Sequence, residues 1–461
     1  MSPVSSHSSV PSARMRVQTG CGSARTRSSF TPSRMTRARC ETAIAGASAM
    51  PERIADAAAV SGSAARKLEC RAPMRLPTLA FAEARRIESR FVDLRSPSEF
   101  ARDHVPGATN VPLFDDQQRA VVGAVYRNVS PAAAAEAGLA MVEARLPELL
   151  GAVLGRDVPW EHWRRRFEKL ADGIRRNASQ GITLQPARPG ELGARPLVLS
   201  CWRGGMRSRA VAALLRALGE ESVAILSGGY KSYRMWVRGK IHALDPETPL
   251  IVLRGPTGVG KTRLLHLLEA EEPGSTLDLE GMACHRSSIL GDVGLAPATT
   301  LGFESALADR LERLGPPPWF VEGESRRVGD VVLPEALYRA METGAQVRLD
   351  ASLEHRVRLL VEDYLPGSAA AAQMAERLPF LEQRLGAAWI GRLRAWLAAG
   401  RAGDVARVLL ESYYDPRYAH CDRRRVWTAR LRADDPEAVP RLLQLRSTLL
   451  SPCVDSSASP A

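Results

Sequence analysis

Apolar residues along this chain fall in short unbroken runs, each followed by a helix-periodic stretch. That is the pattern of buried parallel strands joined by helices. Phe91-Val-Asp-Leu94, Pro196-Leu-Val-Leu-Ser200 and Ala224–Leu226 predict strands in the first half. Leu250–Leu253, Pro318-Trp-Phe-Val-Glu322 and Gln346–Leu349 predict strands in the second. Asp278 and Glu280 are expected to end one more short strand, with His285 and Arg286 in the polar loop behind it. Helices are expected over Ala210–Leu218, Leu264–Leu268, Glu354–Asp363 and Gln373–Gly400, and over the Ala/Leu-rich stretch Ala132–Leu154. Ser96 or Ser98 is expected to cap a further helix, and His104-Val-Pro-Gly107 to turn. A Pro-bearing joint at Asp245–Pro249 divides the pattern. The expectation is an α/β domain over 76–244 with a helical insertion, then an α/β domain over 246–450 with a helical C-terminal part.

Two stretches carry chemistry. The first is Gly255-Pro-Thr-Gly-Val-Gly-Lys-Thr262, which reads G-x-x-x-x-G-K-T between a strand and a helix. Gly255, Gly258 and Gly260 let backbone N–H groups turn onto a polyphosphate, and the helix N-terminus adds its dipole. Lys261 can reach the outer phosphate, and Thr262 could hold magnesium. Glu322, at the end of an apolar run, is a second magnesium candidate. Glu324 and Arg326 follow it in V-E-G-E-S-R-R-V-G. The pattern predicts a bound phosphate or diphosphate without specifying ATP.

The second stretch is Cys201-Trp-Arg-Gly-Gly-Met-Arg-Ser208, between a strand and a helix. Inward N–H groups and a helix N-terminus lower a thiol's pKa and cradle an anion. Arg203 and Arg207 strengthen that field. Cys201 is therefore the strongest nucleophile candidate in the chain.

Composition adds limits. Hydrophobic residues make up 45% and charged residues 25% of 461, ordinary for a globular protein. The net charge of +12 suits an acidic partner such as RNA. The seven cysteines are scattered and form no C-x-x-C pair, which points to a reducing, cytoplasmic compartment. No apolar run approaches the ~20 residues of a membrane helix. Residues 1–73 are rich in Ser, Arg and Ala and lack the apolar periodicity a core needs. They read as a transit-like leader, a basic arm for RNA, or translation from upstream of a true start at Met50 or Met74. Residues 451–461 are expected to be a disordered tail. Trp160-Glu-His-Trp163-Arg-Arg-Arg166 could stack on RNA or form an amphipathic helix with its indoles inside. The tyrosines of Ser412–His420, near Arg423–Arg425, leave the same pair of readings open.

The run D-L-R-S-P-S-E-F…H-V-P-G-A-T-N-V-P-L, which contains Asp93 and Arg95, resembles a rhodanese domain when joined to a cysteine loop ahead of a helix. The loop is longer than usual, and its C-x5-R spacing is similar to that of dual-specificity phosphatases and arsenate reductases. A phosphatase or reductase is one rival reading, although Ser200 rather than His precedes the cysteine. A nucleotide-gated tRNA-binding or sulfur-carrier protein is another.

C-W-R-G-G-M-R-S (with Trp202, Arg203 and Gly204), the Gly255–Thr262 loop, D-L-E-G-M-A-C-H-R-S-S-I-L-G, V-E-G-E-S-R-R-V-G and Y-Y-D-P-R-Y together resemble bacterial tRNA 2-selenouridine synthases over roughly residues 76–440. The chain departs from that family's pattern at Cys284, where the family has Asn, and at Ser287, where it has Gly.

The resemblance implies a tRNA substrate with 2-thiouridine at the wobble position (U34). Its sulfur is first alkylated by geranyl diphosphate, and selenium from selenophosphate then replaces the S-geranyl group. Cys201 would carry selenium while Arg207 grips the anion, and the phosphate loop would hold the departing diphosphate. Both donors are co-substrates, no cofactor is tightly bound, magnesium could assist, and an enzyme supplying selenophosphate is an implied partner.

Overall fold

A computed structural model describes residues 74–158, 160–161, 163–164, 168, 182–365, 367–417 and 425–450. The expectations placed on 1–73, Arg165, Arg166, Tyr418, His420, Arg423, Arg424 and 451–461 lie outside the described residues.

The first sheet contains β1 (Met74–Leu79), β2 (Arg90–Asp93), β3 (Thr109–Asn110), β4 (Ile182–Pro186), β5 (Leu197–Ser200) and β6 (Val223–Leu226). Their order is β3-β2-β5-β6-β1-β4 and every pairing is parallel. All four residues of β5 and of β6 are buried, as unbroken apolar runs should be in a parallel sheet covered on both faces. The register sets Asp93 opposite Ser200, so β2 ends level with the cysteine loop.

Helices α1 (Phe81–Arg86) and α2 (Pro97–Arg102) follow β1 and β2. Ser96 is the cap of α2, in a box with Glu99. The Ala/Leu-rich stretch expected as one helix is two, because Pro147 and the non-helical Arg145 break it. They are α4 (Pro131–Glu143) and α5 (Leu146–Leu154), preceded by an unanticipated α3 (Asp116–Asn128). Trp163 is buried in the same core as α5, which settles its reading as packing. Helix α6 (Met206–Ala217) follows the cysteine loop, and α7 (Gly229–His242) follows β6.

The second sheet contains β7 (Leu250–Arg254), β8 (Thr276–Leu277), β9 (Trp319–Glu322), β12 (Ala345–Asp350) and β13 (Ala429–Arg432). Between β9 and β12, the short β10 (Arg327–Val328) and β11 (Val331–Val332) form an antiparallel pair of their own. The order is β13-β12-β7-β9-β8, again all parallel. Helix α8 (Lys261–Glu271) leaves the central strand β7, α9 (Leu279–Ala283) follows β8, and α10 (Thr300–Leu311) precedes β9. From β7 the chain builds toward β8 and β9 on one side and β12 and β13 on the other. The loop after β7 thus sits at a switch point, where parallel sheets hold ligands.

Asp278 directly follows the two-residue β8 in extended backbone, whereas Glu280 does not end that strand. Asp278 caps α9, accepting from the Gly281 N–H at 2.6 Å, and Glu280 lies inside that helix. Glu354–Asp363 is helical, within Leu353–Tyr364, whereas the expected Gln373–Gly400 helix is interrupted at Gly386. Tyr413 and Tyr414 lie in a single π-turn, buried in the helical part's core, so for these two the packing reading holds.

A buried polar knot joins the first sheet's region to α10. The Tyr230 hydroxyl donates to Asp103 at 2.7 Å, and the Ser305 hydroxyl donates to its other oxygen at 2.8 Å. Arg234 pairs with Asp103 at 3.3 Å and donates to Ser305 and to the Leu301 carbonyl. Burial pushes the Asp103 carboxyl up, against those hydrogen bonds and the arginine.

Candidate active site

The cysteine loop is built by close backbone approach. Gly204 has φ +65° and Gly229 φ +59°. A Cβ on Gly229 would lie 2.3 Å from the Cys201 carbonyl oxygen. The Tyr230 N–H donates to that carbonyl at 2.9 Å, and the Lys231 N–H to Trp202 at 3.1 Å. The start of α7 therefore fixes the loop. Asp93 and Arg95 are buried and form a chelated ion pair at 2.7 Å. Arg95 also lies 3.7 Å over the Tyr230 ring. Through Tyr230, whose N–H holds the Cys201 carbonyl, this pair is tied to the loop.

Cys201 is 3% exposed, with Sγ 3.3 Å from Ser208 Oγ. Ser208 also donates to the Gly205 carbonyl at 3.2 Å. Either group of the Sγ–Oγ pair can be the donor. Arg207, in the first turn of α6, donates to Glu99 at 3.1 Å. That partner was not foreseen, and Arg119 shares it at 3.3 Å. Arg207 holds Glu99 below the usual carboxylate range although burial opposes it. Arg203 is exposed, and Trp202 is 43% exposed. Beside the loop opens a cavity of about 560 Å³.

In the phosphate loop Gly258 has φ +74° and Gly260 φ +95°, conformations that favour glycine. A Cβ on Gly255 would lie 2.5 Å from the Leu349 carbonyl oxygen. Arg356 donates to the Thr257 carbonyl at 2.9 Å and is itself held by Asp415 at 2.6 Å. The Y-Y-D-P-R run thus reaches the loop through Asp415, a role its tyrosines did not suggest. Lys261 lies 3.5 Å from Glu324. Thr262 donates to Glu322 Oε1 at 2.6 Å, and the Glu280 N–H donates to Oε2 at 3.0 Å. Burial first, then the Glu280 charge, raises Glu322 well above the usual range. Burial and Glu324 push Glu280 up to about 7. Thr262 and Glu322 are hard oxygen donors side by side, which suits magnesium completed by ligand phosphates. Among the described residues, no group of three or more His, Cys, Asp or Glu side chains could hold a metal ion.

The remaining predicted residues support structure. Arg286 donates to the Val293 and Asp363 carbonyls and stacks 4.5 Å over Tyr364. His285 packs on Gly329, where a Cβ would come within 2.7 Å of its ring. Arg326 pairs with Glu335 at 2.6 Å. Cys284 and Ser287 have φ +48° and +43°, so each takes the left-handed backbone that Asn or Gly adopts most easily.

Fold and site define a parallel α/β protein with a P-loop-like G-x-x-x-x-G-K-T turn after a strand of one sheet and a cysteine-containing loop after a strand of the other. Residues 248–448 match the model of the tRNA 2-selenouridine synthase AAA domain. A tRNA 2-selenouridine synthase of Cupriavidus pinatubonensis is 32% identical over 372 residues, 74% of this chain and 91% of that one. One of Cupriavidus necator is 33% identical over 357 residues, covering 71% and 87%. One of Nitrosomonas europaea is 30% identical over 282 residues, covering 60% and 64%. The chain belongs to the tRNA 2-selenouridine synthase family. Among the described residues, no helix is long and apolar enough to cross a membrane.

Proposed function

We propose that this protein is a tRNA-modifying transferase that converts wobble 2-thiouridine (U34) to 2-selenouridine. It does so by S-geranylation from geranyl diphosphate and then selenation from selenophosphate. One observation carries the reading: a family member joins, in one chain, a phosphate loop ending in Lys261–Thr262 and a thiol loop running from Cys201 to Arg207. The first region acts as a rhodanese-like domain, and tRNA is the macromolecular partner.

In the first step the base sulfur bonds to the allylic carbon, and diphosphate leaves with the bonding electrons. Lys261 and the loop N–H groups stabilise the charge that grows on it. Thr262 and Glu322 are the residues that would hold magnesium, which would neutralise part of the same charge. In the second step selenium bonds to C2 of the base and geranyl thiolate leaves. Water takes the phosphoryl group as phosphate, so no net oxidation occurs.

Cys201 is the selenium-carrying nucleophile, with Arg207 beside it. Carriage as a selenosulfide removes two electrons from selenide on loading and needs two back on release, so it requires a disulfide as oxidant and a thiol as reductant from outside the protein, whereas a non-covalent hold needs neither. The test combines Cys201→Ser enzyme, thiolated tRNA and both donors, with nucleosides read by mass spectrometry. Geranylated nucleoside without selenouridine supports the assignment. Selenouridine at wild-type yield overturns the carrier role. The intact mass of wild-type protein after selenophosphate treatment separates covalent from non-covalent hold.

A further inference from the structure

We propose that the cavity beside Cys201 seats the isoprenoid chain of the substrate during selenation. This rests on the two-step reading above and adds to it where the chain lies in the second step.

The cavity of about 560 Å³ falls within the roughly 300–1,000 Å³ typical of small-ligand sites. Its walls come from α3, α4, α5 and α6, with Phe114, Val122, Leu139, Val142 and Leu214 supplying much of the surface. Gly138 shapes one wall: a Cβ there would come within 2.9 Å of the Phe114 ring, which lies over α4. An apolar space of this size forfeits packing, and water gains little by filling it. Phosphate, sugar or the edges of a bare base would find few partners on such walls.

Part of the lining has the opposite character. Cys201 and Trp202 line the same cavity, together with Arg127 and Arg203. Both arginines are exposed, whereas Arg119 and Arg207, which also line the cavity, are paired with Glu99. A ligand that fits both parts is an apolar chain attached to an anionic body, with the attachment near the thiol. A base carrying S-geranyl on a tRNA has that form. The chain in the cavity sets the carbon–sulfur bond at Cys201, and the departing geranyl thiolate leaves into an apolar space instead of water. The assignment separates the two halves of the chemistry: diphosphate is held at Lys261, and the transferred chain at Cys201.

The test measures binding of anticodon stem-loop RNA carrying either 2-thiouridine or S-geranyl-2-thiouridine, at one fixed salt concentration. Wild type is compared with Ala135→Phe and Val122→Trp, which fill the cavity from α4 and from α3, with each variant's fold checked by melting. The expected result is that wild type prefers the geranylated RNA by roughly tenfold or more. Either folded variant should lose that preference while binding plain RNA as wild type does. A preference that survives in a folded, filled variant overturns the cavity assignment, as does a wild type with no preference. Nucleoside analysis of wild-type turnover on the plain RNA is run alongside. Geranylated and selenated products there uphold the two-step reading whatever the binding shows, and their absence sinks that reading separately.

Discussion

Arg207 donates to Glu99 at 3.1 Å, so the arginine that closes the C-x5-R loop is already held by a carboxylate from the cap of α2. A carboxylate kept below its usual range stabilises the fold above pH 4.5 and loses that contribution as pH falls through its folded-state value. Glu99→Gln keeps an acceptor for the Ser96 N–H, lying at 3.2 Å, but drops the charge. At neutral pH the variant should be less stable by about 1–2 kcal/mol, and the gap should close in acid. Thermal melts from pH 7 down to pH 3 decide this; a gap that persists at the acid end would assign the loss to the cap instead.

Lys261→Ala should slow geranylation by roughly a hundredfold or more, a barrier increase of about 2.7–4 kcal/mol, by analogy with removing an oxyanion donor. Selenation of pre-geranylated tRNA, with no diphosphate to expel, should slow much less. Glu324 stands 3.5 Å from Lys261 and competes with the incoming phosphate, so Glu324→Gln should tighten diphosphate binding. Single-turnover kinetics of each half-reaction, with a diphosphate titration, give the answer. Equal losses in both halves would mean one shared phosphate site.

Glu280 has its carboxyl raised to about 7 by burial and by the Glu324 charge. In the unfolded chain it ionises near 4.5, so between those values the folded state holds the extra proton. This group therefore makes stability fall as pH rises from about 4.5 to about 7. Glu280→Gln should flatten that part of the melting curve. An unchanged slope in the variant would move the effect to Glu322.

Ser287 occupies left-handed backbone at φ +43°. Such a conformation costs a non-glycine residue about 1–2 kcal/mol, partly offset by the entropy glycine loses on folding. Ser287→Gly should raise stability by up to about 1 kcal/mol in a denaturant titration. A destabilised variant would show that the serine side chain supports the loop more than its backbone strains it.

The unbroken apolar runs at Leu197–Ser200 and Leu250–Leu253 were enough to place both central strands, and with them the loops that begin at Cys201 and Gly255. Local pattern reaches that far because a parallel strand is buried on both faces whatever its neighbours are. It could not show Glu99 reaching Arg207, or Asp415 holding Arg356 under the phosphate loop, since those pairs meet only through the fold. Glu280 misled for a related reason: β8 is two residues long, too short to announce where the following helix begins. The 560 Å³ cavity left no mark in the sequence either, because the apolar faces of α3, α4 and α5 look the same whether they meet or stand apart.

Asp103, Arg234, Ser305 and Tyr230 sit in one hydrogen-bonded knot that spans the Pro-bearing joint near residue 245. Cutting the gene at that joint would leave Asp103 and Arg234 on one fragment, stripped of Ser305 and the Leu301 carbonyl, and Ala308 uncovered on the other. The linker's composition invites dissection into two separately purified pieces. The knot makes those fragments poor substitutes for the whole: each would carry a raw face that favours aggregation. Complementation in trans would then require the pieces to be synthesised together, so that each covers the other as it folds.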